Sequence, residues 1–204
     1  MKKMKKLTVL AITAALAASL TITAAASDVM HTVVKGDTMW KLAVKYQVGT
    51  SEIISANPQV SNPNLIYPGQ RLSIPQIPSG VSNYETEVVR LVNEQRAKYG
   101  LQPLTINWEL SRVARYKSED MAKNKYLSHT SPTYGTPFEM MRSFGISYRS
   151  AGENIAYGQR TPAAVMDAWM NSSGHRENIL KASYTQIGVG YYANGNYWTQ
   201  MFIG

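Results

Sequence analysis

The chain has 204 residues, a formal net charge of +8, three histidines and no cysteine. Without cysteine there is no disulfide framework, no thiol nucleophile and no cysteine-linked lipid anchor, so the fold must rest on its apolar core. The positive charges are scattered and form no dense basic run, which argues against a nucleic-acid partner.

Residues 1–26 read as a targeting segment. Lys2, Lys3, Lys5 and Lys6 form a positive start, Leu7 to Leu20 is apolar or small throughout, and Ala24-Ala25-Ala26 supplies a cleavage site. The run is shorter than the ~20 residues a membrane span needs. The expectation is a cleaved signal peptide, secretion, and no membrane span after cleavage. Removing the four lysines leaves 17 basic against 13 acidic residues, a net charge of +4. A mildly basic exported surface favours anionic polymers such as a cell wall.

The first module is expected over residues 30–75, in the order strand, helix, helix, strand. His31-Thr32-Val33-Val34 reads as a strand and Lys35-Gly36-Asp37-Thr38 as a turn. Asp37 or Thr38 then caps a helix running to Tyr46. Thr50 is a second candidate cap, opening a helix across Ile53, Ile54 and Ala56 that Asn57-Pro58 ends. A loop, Asn62 to Gln70, leads into a closing strand, Arg71 to Pro75. The motifs HTVVKGDTMWKLAVKY, ANPQV and NLIYPGQRLSIP together resemble the LysM domain, a carbohydrate-binding module, over its whole length. That resemblance implies a shallow glycan groove with Gly36, Asp37, Thr38 and Met39 on one wall and Leu65, Ile66, Tyr67 and Pro68 on the other. The implied partner is the N-acetylglucosamine of peptidoglycan or of a related polymer such as chitin. Gln76 to Asn83, rich in Pro, Ser and Gly, is expected as a linker (residues 76–83) between semi-independent modules.

The second module, residues 84–204, begins with helices. Glu85 to Tyr99 carries Val88, Leu91 and Val92 on one stripe and stops at Gly100; Asn107 caps a longer helix to about Asn124. Thr136-Pro137-Phe138-Glu139 is a capping box, and Thr161-Pro162 opens a helix bearing Val165, Met166, Trp169 and Met170 as core. Ser150 to Tyr157 is expected as a strand. Gln186 to Tyr192 and Tyr197 to Ile203 flank Asn194-Gly195 as a hairpin. Helices followed by an antiparallel pair predict an α+β fold.

Three polar side chains stand outside every apolar stripe: His129 in Ser128-His129-Thr130, Glu153 in Gly152-Glu153-Asn154, and His175 in Ser172-Ser173-Gly174-His175. Two imidazoles and a carboxylate are what a polar cleft needs to bind a cation or move protons. VNEQRAKYGLQPLTINWELSRVARYKSEDMA, LSHTSP, GENIA, AWMNSSGHRENIL and YTQIGVGYY resemble the CAP superfamily of cysteine-rich secretory, antigen-five and pathogenesis-related proteins, in disulfide-free bacterial form. The resemblance implies an α-β-α sandwich with a cleft that, in eukaryotic members, holds two His and two Glu. His129 and Glu153 match two of those positions, while Ser172 and Ser183 stand where the pattern has Glu and His.

Two functions follow as expectations. One is a secreted, wall- or spore-envelope-associated protein that grips glycan through its first module and presents a His/Glu cleft for a ligand or protein partner, needing no cofactor. The chain has no G-x-S-x-G elbow, no H-E-x-x-H and no nucleophilic cysteine. The alternative is a hydrolase of wall material or peptides using His129, Glu153 and His175. In that case zinc is held by His129 and His175, or Glu153 pairs with one histidine without metal. Capture of a small lipid is a third possibility, implied by the resemblance alone.

Overall fold

The computed structural model describes residues 27–204; the expected signal peptide, residues 1–26, lies outside them. Two sheets organise the chain. β1 (Val29–Thr32) pairs antiparallel with β2 (Arg71–Ile74), with α1 (Met39–Tyr46) and α2 (Thr50–Ala56) between them in sequence. This is the expected order of strand, helix, helix, strand.

Of the two candidate caps for α1, Thr38 performs the role: its hydroxyl accepts from the Lys41 amide. At α2 the expected cap shifts by one residue. Gly49 is the N-cap and Thr50 the first helical residue. A Cβ at Gly49 would meet the ends of the Glu52 side chain and of Arg112 of the following module, so a larger residue there requires that pair to shift. Leu42, Ala43, Ile53, Leu72 and Ile74 form the small core.

The larger sheet has the order β3-β5-β6-β4, built from β3 (Thr105–Ile106), β4 (Ala151–Tyr157), β5 (Gln186–Tyr192) and β6 (Tyr197–Ile203). Two-residue β3 lies parallel to β5 and is too short to register in a periodicity. The hairpin loop spans four residues, since Tyr192 pairs with Tyr197. Gly195 and Asn196 take its left-handed positions, at φ 92° and 55°.

Helices cover both faces, giving the expected sandwich. One face packs Val88 and Val92 of α3 (Ser79–Lys98) and Val165 and Trp169 of α6 (Pro162–Met170) against Ile187, Trp198 and Phe202. The other packs Leu110, Val113 and Ala114 of α4 (Trp108–Lys123) and Met140 and Met141 of α5 (Pro137–Ser143) against Met201 and Ile203. β5 alternates accordingly. Ile187 and Val189 enter the first core, while a Cβ at Gly188 or Gly190 would strike the backbone of α4. The two glycines let that helix lie directly on the strand.

The expected linker is largely helical, because α3 begins at Ser79. The modules also touch. Arg112 of α4 pairs with Glu52 through Nε and, at 2.8 Å, through Nη2, which also reaches Ser51 Oγ at 2.8 Å. Its guanidinium lies over the rings of Tyr116 and Phe144.

Gly190→Ala forces a methyl into the α4 backbone and is expected to destabilise the fold by about 1–3 kcal/mol or more. Gly80→Ala places its Cβ where nothing lies within 4 Å. It is expected to be neutral or stabilising by a few tenths to about 1 kcal/mol. Urea denaturation of the two variants checks the contrast.

Candidate functional site

The expected glycan groove is bounded by two loops that backbone bonds hold side by side. Val33 N donates to Gln70 O (2.8 Å) and Gly69 N to Val33 O (2.9 Å). The first loop turns at Gly36, whose φ of 95° suits glycine. A relay fixes this turn. Asp37 Oδ2 accepts from the Val34 amide (2.8 Å) and from His31 Nε2 (2.9 Å), and His31 Nδ1 lies 2.9 Å from the Tyr46 hydroxyl. The carboxylate can only accept, so His31 donates to it through Nε2. The Val34 amide first, and His31 next, hold Asp37 below the usual carboxylate range.

Leu65 and Tyr67 are more than half exposed on the second loop, and Thr38 and Pro68 are exposed too. Ile66 is half-buried against the module core. Met39, expected on the groove wall, is 5% exposed and belongs to that core. It occupies the first turn of α1 on the buried side, in line with Leu42 and Ala43.

In the second module the structure brings His129 and Glu153 together. Strand alternation supplies the carboxylate: Glu153 pairs with Met201 and Asn154 with Gln200. Glu153 thus shares the face of Met201, covered by α4 and α5. Asn154 shares the face of Gln200 and receives the support of α7 (Ser173–Ile179). His129 Nδ1 lies 2.7 Å from Glu153 Oε1, a contact carrying one shared proton. The imidazole is half exposed and the carboxyl fully buried, with Glu153 Oε2 lacking any hydrogen-bond partner among the described residues. Burial pushes the Glu153 carboxyl above its ordinary range, against the opposing pull of His129 and Lys117.

His175 makes no hydrogen bond to either group. Its backbone carbonyl accepts from Asn154 Nδ2 at 3.0 Å, so α7 is held by Asn154 rather than through the imidazole. Burial and then the nearby His129 push its imidazole below the ordinary value. Asn178, also of α7, donates to Glu153 O (3.2 Å) and Asn154 Oδ1 (2.9 Å). Among the described residues no group of three or more His, Asp or Glu side chains is arranged to hold a metal ion.

Sequence reasoning missed Lys117 and Asp120. Lys117 is fully buried, and its ammonium donates to the His129 carbonyl at 2.8 Å. Burial lowers its pKa against the attraction of Glu153 and Asp120. The signal was available: Lys117 falls on the stripe of Leu110, Val113, Ala114 and Met121, where a surface lysine does not belong. Asp120 accepts from Ser131 Oγ (2.6 Å), Thr133 Oγ1 (2.6 Å), Tyr126 OH (2.5 Å) and Asn124 Nδ2 (2.7 Å). Burial would raise its pKa, but these donors outweigh it and hold the carboxyl low. Together Lys117 and Asp120 pin the loop that carries His129.

The Cysteine-rich secretory protein family matches residues 89–202, more than half of the chain, and the LysM domain matches residues 31–75. The chain belongs to the Cysteine-rich secretory protein family, with a LysM domain ahead of that region. It is 61% identical over 127 residues to YkwD of Bacillus subtilis, covering 62% of this chain and 49% of that protein. Over 46 residues it is 48% identical to the spore coat assembly protein ExsA of Bacillus cereus, 22% of this chain and 7% of ExsA. A crystal structure of an extracellular protein containing a SCP domain from Bacillus anthracis superposes with TM-score 0.59 at 34% identity, over 66% of this chain and 46% of that one. The chain spans about half the length of the first curated relative it matches.

Asp120→Asn is expected to cost about 1–3 kcal/mol at neutral pH, since it loses a charged acceptor from a buried donor network. A carboxyl with a lowered folded pKa contributes stability above its unfolded pKa and loses it as pH falls through the folded one. The gap between wild type and variant should therefore narrow below about pH 4. Urea midpoints measured from pH 7 to pH 3 check this.

Proposed function

We propose that this protein is a secreted, envelope-associated binder that grips N-acetylglucosamine polymer, foremost peptidoglycan, between the Gly36–Thr38 turn and the Leu65–Pro68 loop. Its larger module then presents the His129–Glu153 cleft to a ligand or protein partner. The observation that carries the first part is the pair of loops bonded side by side with Leu65 and Tyr67 exposed. Apolar side chains suit the faces of sugar rings, and backbone amides suit acetamido groups. The likeness to a spore coat assembly protein over the LysM region supports an envelope location. No helix among the described residues is long and apolar enough to cross a membrane. A Leu65→Ala, Tyr67→Ala double variant is expected to lose retention on purified sacculi by about tenfold or more. Undiminished retention overturns the groove.

One observation favours a second reading, hydrolysis of wall material without metal. The raised Glu153 carboxyl shares a proton with a half-exposed imidazole, an arrangement suited to general acid–base transfer. On this reading, the chain incubated with sacculi releases soluble fragments. Glu153→Gln lowers that release by about 10²–10⁴-fold. Absent or unaltered release retires hydrolysis and leaves binding.

A further inference from the structure

Trp40 plays no part in the module core, where Met39 takes the buried position beside it. It is 66% exposed, the most exposed large apolar side chain among the described residues. Trp40 does line a cavity of about 140 Å³ at the seam between the two modules. Across that cavity the larger module contributes Trp108, the first residue of α4, with Glu109 and Arg112 beside it, and α2 contributes Thr50. Trp40 from one module and Trp108 from the other thus line one hollow together with polar residues.

We propose that this seam is a second saccharide subsite, for an uncharged N-acetylhexosamine unit of the chain whose other units lie in the LysM groove; it rests on the glycan reading of that groove. Indoles offer rigid apolar planes at small entropic loss, and the polar groups beside them fix orientation. Charge selects among sugars. The Arg112 guanidinium is matched by Glu52, so Glu109 leaves the hollow with a negative balance that disfavours a carboxylate-bearing sugar. The polar groups of Thr50 and Glu109 make no side-chain hydrogen bond to the protein among the described residues, which leaves them for hydroxyl and acetamido groups.

The test is calorimetry of the full chain with N-acetylglucosamine trimer and hexamer, comparing wild type with Trp108→Ala, Trp40→Ala and Tyr67→Ala. In wild type the hexamer should bind about tenfold more tightly than the trimer, and each tryptophan variant should lose that advantage while keeping trimer affinity. Tyr67→Ala should weaken both oligomers. Tryptophan variants that bind the hexamer as wild type does, while Tyr67→Ala does not, overturn the seam subsite and leave the groove standing. Loss of hexamer binding in the tryptophan variants with Tyr67→Ala unaffected overturns the groove, and with it a seam subsite that continues it. Absence of binding to either oligomer overturns both. Thermal melts of each variant guard against loss of fold, and both indoles sit on a surface seam.

Discussion

Side-chain alternation along β4 is the constraint on which the cleft depends. Neighbouring residues of a strand point to opposite faces, so Glu153 and Asn154 serve two different layers from one dipeptide. Glu153 goes to the α4 side and meets His129; Asn154 goes to the other and fastens Gln200 and the backbone of α7. A slip of one residue would exchange them, burying an amide against Lys117 and a carboxyl against Gln200. β4 is also an edge strand, and its free carbonyls are covered. Asn178 takes that of Glu153 and the Trp169 indole that of Ile155. The edge is thereby closed to another strand, and the cleft is fixed in place by the same contacts.

Burying Glu153 and Lys117 in one region is unfavourable unless each finds compensation. The compensation is uneven. Lys117 donates to the His129 carbonyl and more distantly to the Tyr126 hydroxyl, both neutral acceptors. Glu153 has His129 on one oxygen and nothing on the other. Here the two charges attract across the site while each retains capacity to meet a further group, and the apolar sheet beneath bears the energetic burden. Asp120 shows the opposite strategy: four donors converge on it, and it serves only to hold a loop.

Much of this was legible in the sequence. Capping residues Thr38, Asn107, Thr136 and Thr161 act as their types predict, because capping is decided within one turn of chain. The meeting of His129 with Glu153 was suggested by polar residues standing outside apolar stripes. The roles of Gly188 and Gly190 were not, since what excludes a side chain there is the backbone of α4, about 75 residues earlier in the chain. Lys117 was passed over because a lysine on a helix is ordinarily solvated. Met39 and Trp40 are adjacent apolar residues of α1, and only the packing of the module decides which of the two faces inward. β3 depends wholly on the neighbouring β5 for its existence.

The seam between modules bears on how an anchor and a cleft can act as one object. Direct side-chain bonding across it centres on Arg112, which reaches Ser51 and Glu52 and is braced by Tyr116 and Phe144. One partly exposed ion pair contributes little by itself. The chain connecting Ile74 to Ser79 is short, however, so the partners stay at high effective concentration and a weak contact suffices. A ligand that touches Trp40 on one module and Trp108 on the other binds only the docked arrangement. Mass action then requires that it stabilise docking by the same free energy that docking lends to its binding. A polymer held at both the groove and the seam would couple its own binding to the orientation of the His129–Glu153 cleft through this linkage, without any movement inside either core.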